Sequence, residues 1–137
     1  MKDVSVLLID IDDVVLPFDK TKYEAQAKAI VESFGYEVVG FAYRLSSIKG
    51  IHVYVWVAPE VEAKYIPLLQ YLLGSDFKRE CINYFRRRRG IDLNVFFFAK
   101  KRIKHNIGIK MTCEHLCRGL IDMISLAESS GIKRVEV

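Results

Sequence analysis

The chain has 137 residues, of which 51% are hydrophobic, and a formal net charge of +4 at pH 7. This length and composition predict one domain, over residues 1–137, that folds around a core of its own. No apolar run reaches the roughly 18 residues that a membrane span needs, and acids stand where a signal peptide would have its apolar centre. We therefore expect a cytoplasmic (intracellular) protein that does not enter a membrane.

The N-terminal third of the chain predicts a strand followed by a helix. VSVLLIDID, residues 4–12, is rich in β-branched residues and leucine and ends in acids, which is typical of a strand. TKYEAQAKAIVESFG, residues 21–35, is predicted to be a helix, with Asp19 or Thr21 as its N-cap and Gly35 at its end.

A hairpin follows this helix. YEVVGFAYRL, residues 36–45, is predicted to be a strand that is interrupted near Gly40. IHVYVWVAP, residues 51–59, alternates in the way that a half-buried strand does. The five-residue loop between them favours an antiparallel pair.

The second half predicts helices around one further strand. PEVEAKYIPLLQYLLG is a helix broken near Pro67, DFKRECINYFRRRRG is a second helix, and DLNVFFFAKK is a strand. Residues 111–130 predict an amphipathic helix, and residues 133–137 a short edge strand. The order β-α-β-β-α-β plus a C-terminal helix predicts an α+β fold, the ferredoxin-like or RRM-like split βαβ. In it, an antiparallel sheet carries its helices on one face.

The three cysteines are odd in number and sparse, so we expect no disulfide framework. Cys113, His115 and Cys117 have the spacing of metal ligands, but no second pair completes a tetrahedral site. The pattern favours two small buried side chains one helical turn apart.

Two carboxylates end the first strand. Asp10 and Asp12 are two residues apart, so both should point to one face. Oxygen ligands of this kind suit Mg²⁺ or Mn²⁺, and burial of two like charges without a cation would be costly. The alternative is a polar strand end in water.

Aromatic side chains alternate along the predicted third strand. His52, Tyr54 and Trp56 share one face, and valines occupy the other, which should pack against the helices. Aromatic residues on an open sheet face can stack nucleic-acid bases. The alternatives are that they pack under the C-terminal helix or at a homodimer interface.

Donor groups cluster at the hairpin. Ser46, Lys49 and His52 would lie beside the carboxylate pair of the neighbouring strand. Donors next to a divalent cation are what a nucleoside triphosphate requires. The sequence therefore predicts a nucleotide-binding site here.

A basic region extends from residue 78 to residue 110 and contains four consecutive arginines, Arg86, Arg87, Arg88 and Arg89. Such a region attracts nucleic acid in a salt-dependent way. The alternative is a solvated helix end. We favour phosphate contacts.

The strand LLIDID, a helix, and then SSIKGIHVYV resemble the catalytic core of the archaeo-eukaryotic primase superfamily, especially the polymerase domain of bacterial end-joining DNA ligases. The resemblance implies that Asp10 and Asp12 are catalytic metal ligands and that Ser46, Lys49 and His52 contact the nucleotide. It also implies a third acid on a strand, but ECINYFRRRRG places Asn83 there, in a stretch whose own pattern predicts a helix.

The resemblance predicts a reduced primase-polymerase core, acting in replication of a mobile element such as a plasmid or virus, with Arg86–Arg89 on template phosphates. Nucleotidyl transfer stays open because Asn83 replaces the third acid. One alternative is a non-catalytic single-stranded nucleic-acid-binding or dimerisation module. Another is a haloacid-dehalogenase-like phosphatase with Asp10 as nucleophile and Asp12 as general acid/base. A rolling-circle initiator lacks its His-hydrophobe-His pair here.

Overall fold

The fold is α+β, with a three-stranded antiparallel sheet. A computed structural model describes residues 3–12, 14, 17–46, 50–90 and 117–137. In these residues the strands are β1 (Ser5–Ile11), β2 (Glu37–Leu45) and β3 (Ile51–Ala58). β3 lies in the centre, in the order β1-β3-β2, and is antiparallel to both neighbours. The three predicted strands are thus confirmed, and their bounds differ by one residue.

The described residues contain four α-helices. They are α1 (Lys20–Ser33), α2 (Ile66–Leu72), α3 (Phe77–Arg88) and α4 (Arg118–Ser129), with a short 3₁₀ helix at Ala63–Tyr65 before α2. Asp19 caps α1, since its side chain accepts a hydrogen bond from the Lys22 amide. Asp76 caps α3 in the same way, and Pro67 lies in the first turn of α2, which it can enter because that position needs no amide proton.

Alternation along the strands divides the sheet into a core face and an open face. Leu7, Ile9, Val53 and Val55 point to the core face and are fully buried. There they form one hydrophobic cluster with residues of all four helices. The interposed residues of β1 and β3 point to the opposite side, which is called the open face below. On this face Val6 and Trp56 are exposed, whereas Leu8 and His52 are buried.

The outer edge of β1 is closed by polar groups from the α2–α3 region. The Leu8 amide donates to Gln70 Oε1 at 2.9 Å, and the Leu8 carbonyl accepts from Arg79 Nη1 at 3.0 Å. The Asp10 amide donates to Ser75 Oγ at 3.4 Å. At these two residues the backbone groups that a neighbouring strand would use are already engaged.

Several predicted features differ from the structure. The strand predicted at DLNVFFFAKK lies outside the described residues, as does the first part of the helix predicted at 111–130, whose described part is α4. Residues 133–137 form no strand. They are held irregularly instead, since the Val135 amide donates to the Leu72 carbonyl at 2.8 Å. The antiparallel sheet is not the parallel sheet that the phosphatase alternative requires.

A disulfide joins α3 to the start of α4. It links Cys81 and Cys117, both buried. Cys117 is buried as predicted, but this bond was not expected from the odd cysteine count. Gly119 then lies so close to Tyr84 of α3 that a Cβ at that position would clash with the tyrosine hydroxyl. The disulfide holds the start of α4 beside α3, and the missing side chain of Gly119 lets Tyr84 approach closely there.

None of the helices in the described part of the chain is long and apolar enough to cross a bilayer.

Candidate nucleic-acid interface

A row of three ionisable residues crosses the open face at one end of the sheet. Asp10 on β1 pairs with His52 on β3, and His52 pairs with Arg44 on β2. His52 Nε2 lies 3.5 Å from Asp10 Oδ1. The predicted neighbourhood of Asp10 and His52 is therefore present in the structure, and it results from strand register alone.

His52 is buried, with 4% of its surface exposed. Burial lowers its pKa below the ordinary value of 6.5 because it disfavours the charged imidazolium. The Asp10 carboxylate opposes this effect, whereas the positive charges of Arg79 and Arg44 add to it. At neutral pH His52 is therefore a neutral hydrogen-bonding group next to a carboxylate.

Arg44 was not predicted as a site residue. Its position could have been found from the hairpin, which is closed by the Ser46 amide donating to the Gly50 carbonyl at 3.0 Å. Two residues back from Ser46 and two residues forward from Gly50 are Arg44 and His52, so the pair follows from the loop length. The exposed Arg44 adds a cation to the row.

Tyr54 and Trp56 form an aromatic pair on the open face, as predicted. Their ring centroids are 6.2 Å apart and the ring planes are inclined by 24°. Trp56 is 37% exposed and Tyr54 is half-buried. The described part of the C-terminal helix, α4, does not cover this pair, because it packs against α2 on the core side of the sheet.

The other predicted ligands of the nucleotide and metal are less well placed. Ser46 is exposed just after β2, and Asp12 is exposed just after the end of β1. Lys49 lies outside the described residues. Within the part of the chain that the structure describes, no three His, Cys, Asp or Glu side chains are grouped so that they could hold a metal.

Behind the edge of β1 lies a buried polar cluster that the sequence analysis did not identify. Glu80 is fully buried and its carboxylate accepts from Gln70 Nε2 at 2.7 Å, Arg79 Nη1 at 2.6 Å and Asn83 Nδ2 at 3.0 Å. Burial raises the pKa of Glu80, and the Arg79 guanidinium and the neighbouring donors counteract this rise. A helical i, i+3 spacing of Glu80 and Asn83 is the signal that the sequence offered.

Asn83 therefore has a structural role in this cluster. It is buried on α3. This confirms the helix predicted from the residue pattern and contradicts the strand that the resemblance implies. Its amide donates to Glu80 and is not presented on the open face beside Asp10. The third motif of the primase superfamily thus has no structural counterpart at this position.

The four arginines are at the far end of α3. Arg86, Arg87 and Arg88 form its last turn and Arg89 is its C-cap, where positive charge is favourable to the helix dipole. Arg89 lies over the ring of Phe85, 4.6 Å from its centroid. The run begins roughly 10 Å along the helix from Arg79, the residue that reaches β1. It is separate from the row on the sheet.

One relative was found among curated proteins. The chain is similar to the uncharacterized protein ORF144 of Acidianus filamentous virus 1 (isolate United States/Yellowstone), with 30% identity over 99 residues. The alignment covers 66% of this chain and 69% of the viral protein. No protein-family model and no solved structure matches the chain.

Proposed function

The chain belongs to the family of ORF144 of Acidianus filamentous virus 1, and we propose that it binds single-stranded nucleic acid on the open face of its sheet. The observation that carries this proposal is the aromatic pair of Tyr54 and Trp56 on that face, partly open to solvent and stacked along one strand. Bases stack on such side chains without regard to sequence.

The surrounding charges fit a polyanion. Arg44 is exposed on the same face, on the neighbouring strand β2 and diagonal to Tyr54. The net charge of the whole chain is +4, and the arginine run on α3 supplies a second cationic region. Stacking would hold the bases while these cations attract the phosphates.

The finer fold belongs to the same proposal. We propose that β1, β2 and β3 are three strands of a split βαβ, because β3 lies between β1 and β2 in an antiparallel sheet. A fourth strand would not pair with β1 at Leu8 and Asp10, whose outer backbone groups are bound by the α2–α3 region. The viral relative is in keeping with a role in a mobile element.

A second candidate function is metal-dependent binding of a nucleoside triphosphate. The approach of Asp10 and His52 favours it, since these residues carry the two motifs of the primase resemblance. Asp10 and Asp12 would hold Mg²⁺ or Mn²⁺, and Ser46, Lys49 and His52 would contact the phosphates. Catalysis of nucleotidyl transfer would require a further acid in place of Asn83.

The first test uses Trp56 as its own probe, since it is the only tryptophan in the chain. Titration with oligo-dT should quench its fluorescence, because a stacked base contacts the indole. With a labelled oligonucleotide, Trp56→Ala and Tyr54→Ala should each weaken binding by about 1–3 kcal/mol. Tyr65→Ala, a matched change on the 3₁₀ helix, should leave affinity unaltered. Equal losses in all three variants, or no quenching, would refute the proposal.

The second candidate is tested by Mn²⁺-dependent binding of a labelled nucleoside triphosphate. Wild type should bind, and Asp10→Ala/Asp12→Ala should not. The same double variant should keep its affinity for oligo-dT, because the aromatic pair is unchanged. Absence of nucleotide binding in both proteins would reject the second candidate and leave the first intact.

A further inference from the structure

β2 is an outer strand of the sheet with apolar and charged residues exposed together. Val39 is 60% exposed and Leu45 is 68% exposed, and Glu37 and Arg44 are exposed at opposite ends of the strand. Among the described residues, no backbone hydrogen bond joins Glu37–Tyr43 to any segment other than β3. A strand edge with these properties can pair with another strand.

Strand register shows which backbone groups of β2 point outward. The backbone amides of Leu8 and Asp10 point away from β3. Because the direction alternates along a strand, the backbone N–H and C=O groups of Leu7 and Ile9 point toward β3. Their partners on β3, Val55 and Val53, point their backbone groups toward β1. The residue between them, Tyr54, therefore points its backbone groups toward β2. The backbone groups of Ala42, the partner of Tyr54, therefore point toward β3 and away from the outer edge.

By the same alternation, the backbone N–H and C=O groups of Phe41 and Tyr43 point to the outer edge of β2. A bulge at Val39 shifts the alternation by one residue, since Val38 pairs with Val57 while Gly40 pairs with Trp56. The backbone groups of Val38 consequently also point to the outer edge, like those of Phe41 and Tyr43. Glu37 and Arg44 both project on the open face.

We propose that a second copy of the chain pairs antiparallel with the outer edge of β2, about a twofold axis at Phe41. With the bulge counted, this register sets Phe41 opposite Phe41 of the second copy and Val38 opposite Tyr43. It sets Glu37 directly opposite Arg44, twice, because the pairing is symmetric. Both charges lie on the same face in a close cross-strand pair, where opposite charges attract.

The charge complementarity of β2 with itself favours a second copy of the chain as the partner. Any register shifted by two residues separates Glu37 from Arg44, so one symmetric register brings the opposite charges together, aligns the outward backbone groups and accommodates the bulge at the same time. Val39 and Leu45 would be covered in the process. The product is a six-stranded sheet whose two Tyr54–Trp56 pairs lie on one side, so the interface leaves the proposed stacking surface open, while Arg44 borders both the interface and that surface.

The test is the mass of the protein in solution without nucleic acid, measured by sedimentation equilibrium over a range of concentrations. A species of twice the 15.8 kDa chain is expected. Glu37→Lys replaces two attractive pairs with two repulsive ones and should raise the dimer dissociation constant about tenfold or more. Adding Arg44→Glu to this variant should restore the dimer, because the charges are exchanged and not removed.

Three results would overturn the proposal. These are a monomer at every concentration, a dimer that Glu37→Lys does not weaken, and a failure of Arg44→Glu to restore the Glu37→Lys dimer. Glu32→Lys, an exposed charge reversal on α1, is the matched control and should leave the dimer unchanged. Circular dichroism of each variant checks that it is folded. Since the measurement contains no nucleic acid, it is independent of the proposed function.

Discussion

At the scale of single residues, Glu80 shows how a charge can be kept inside a small protein. Its carboxylate has no contact with solvent but accepts hydrogen bonds from Gln70, Arg79 and Asn83. Gln70 and Arg79 use their remaining groups on Leu8 of β1. One buried acid thus organises the side chains that close the edge of the sheet.

Replacement of Glu80 by alanine should therefore lower the free energy of unfolding by about 3–5 kcal/mol, because the buried donors of Gln70 and Asn83 and the half-buried Arg79 guanidinium lose their acceptor. Urea denaturation followed by circular dichroism measures this change. The exposed Glu32 on α1 provides the control, and its replacement by alanine should alter stability by no more than about 0.5 kcal/mol. A similar small effect at position 80 would mean that the cluster does not stabilise the fold.

The lowered pKa of His52 makes stability depend on pH in one direction. The unfolded chain takes up a proton at His52 near pH 6.5, above the pH at which the folded protein does so. Neutral His52 therefore contributes stability above about pH 6.5, and this contribution is lost as the pH falls through the lowered folded value.

Wild type should lose more unfolding free energy than His52→Gln when the pH is lowered from about 7 to 5. Thermal or urea unfolding at a series of pH values gives the comparison, and the difference between the two proteins cancels the other histidines. If the two proteins had parallel pH profiles, the burial of His52 would have no effect on its titration.

At the scale of secondary-structure elements, the helices were easier to predict than their mutual positions. Asp19 and Asp76 mark helix starts through local hydrogen bonding, which depends on few neighbouring residues. Pro67, predicted as a break within one helix, lies in the first turn of α2, and only a 3₁₀ turn precedes it. The attachment of α4 to α3 depends on Cys81 and Cys117, which are 36 positions apart. No local pattern relates two such residues.

Loss of this disulfide should destabilise the protein by roughly 3–4 kcal/mol, as expected for a loop of this length. Cys81→Ser in urea should unfold at a lower midpoint than wild type, and dithiothreitol should shift wild type but not the variant. Cys113→Ser, the control, should keep its response to dithiothreitol. Three free thiols in untreated, denatured wild type would show that no such bond exists.

At the scale of the whole molecule, two features for which the sequence predicted contact with nucleic acid lie on different parts of the structure. The aromatic pair lies on the open face of the sheet, while the arginine run ends a helix whose first turn borders the edge of β1. If both bind one nucleic acid, stacking and charge should contribute through different parts of the surface. The salt dependence of binding then distinguishes the contribution of stacking from that of charge.

Replacing Arg86–Arg89 with glutamine should make the plot of log affinity against log salt concentration less steep, by about 0.7 for each arginine that contacts a phosphate. Trp56→Ala should lower the affinity at every salt concentration with little change of slope, because stacking releases no counterions. Fluorescence anisotropy of a labelled single strand measures both. An unchanged slope in the arginine variant would assign these residues to the solvated end of α3.

The sequence by itself determined the three described strands, the helices α1 and α3, and the division of β3 into an apolar face and an aromatic one. These features follow from alternation, capping and turn residues, all of which act over a few positions. It also set Arg44 opposite His52, because the loop length of the hairpin determines the register of β2 against β3. The pairing of Asp10 with His52 joins β1 to β3 and depends on how these two distant strands meet in the fold.

Tertiary structure decided the rest. The cluster around Glu80, the closed edge of β1 and the Cys81–Cys117 bond each join residues that are distant in the chain or placed by helix packing. Asn83 was assigned to a lost metal site by resemblance, yet its partner is Glu80, one helical turn away. Such contacts depend on how buried polar groups find partners in three dimensions, and no short sequence pattern encodes that choice.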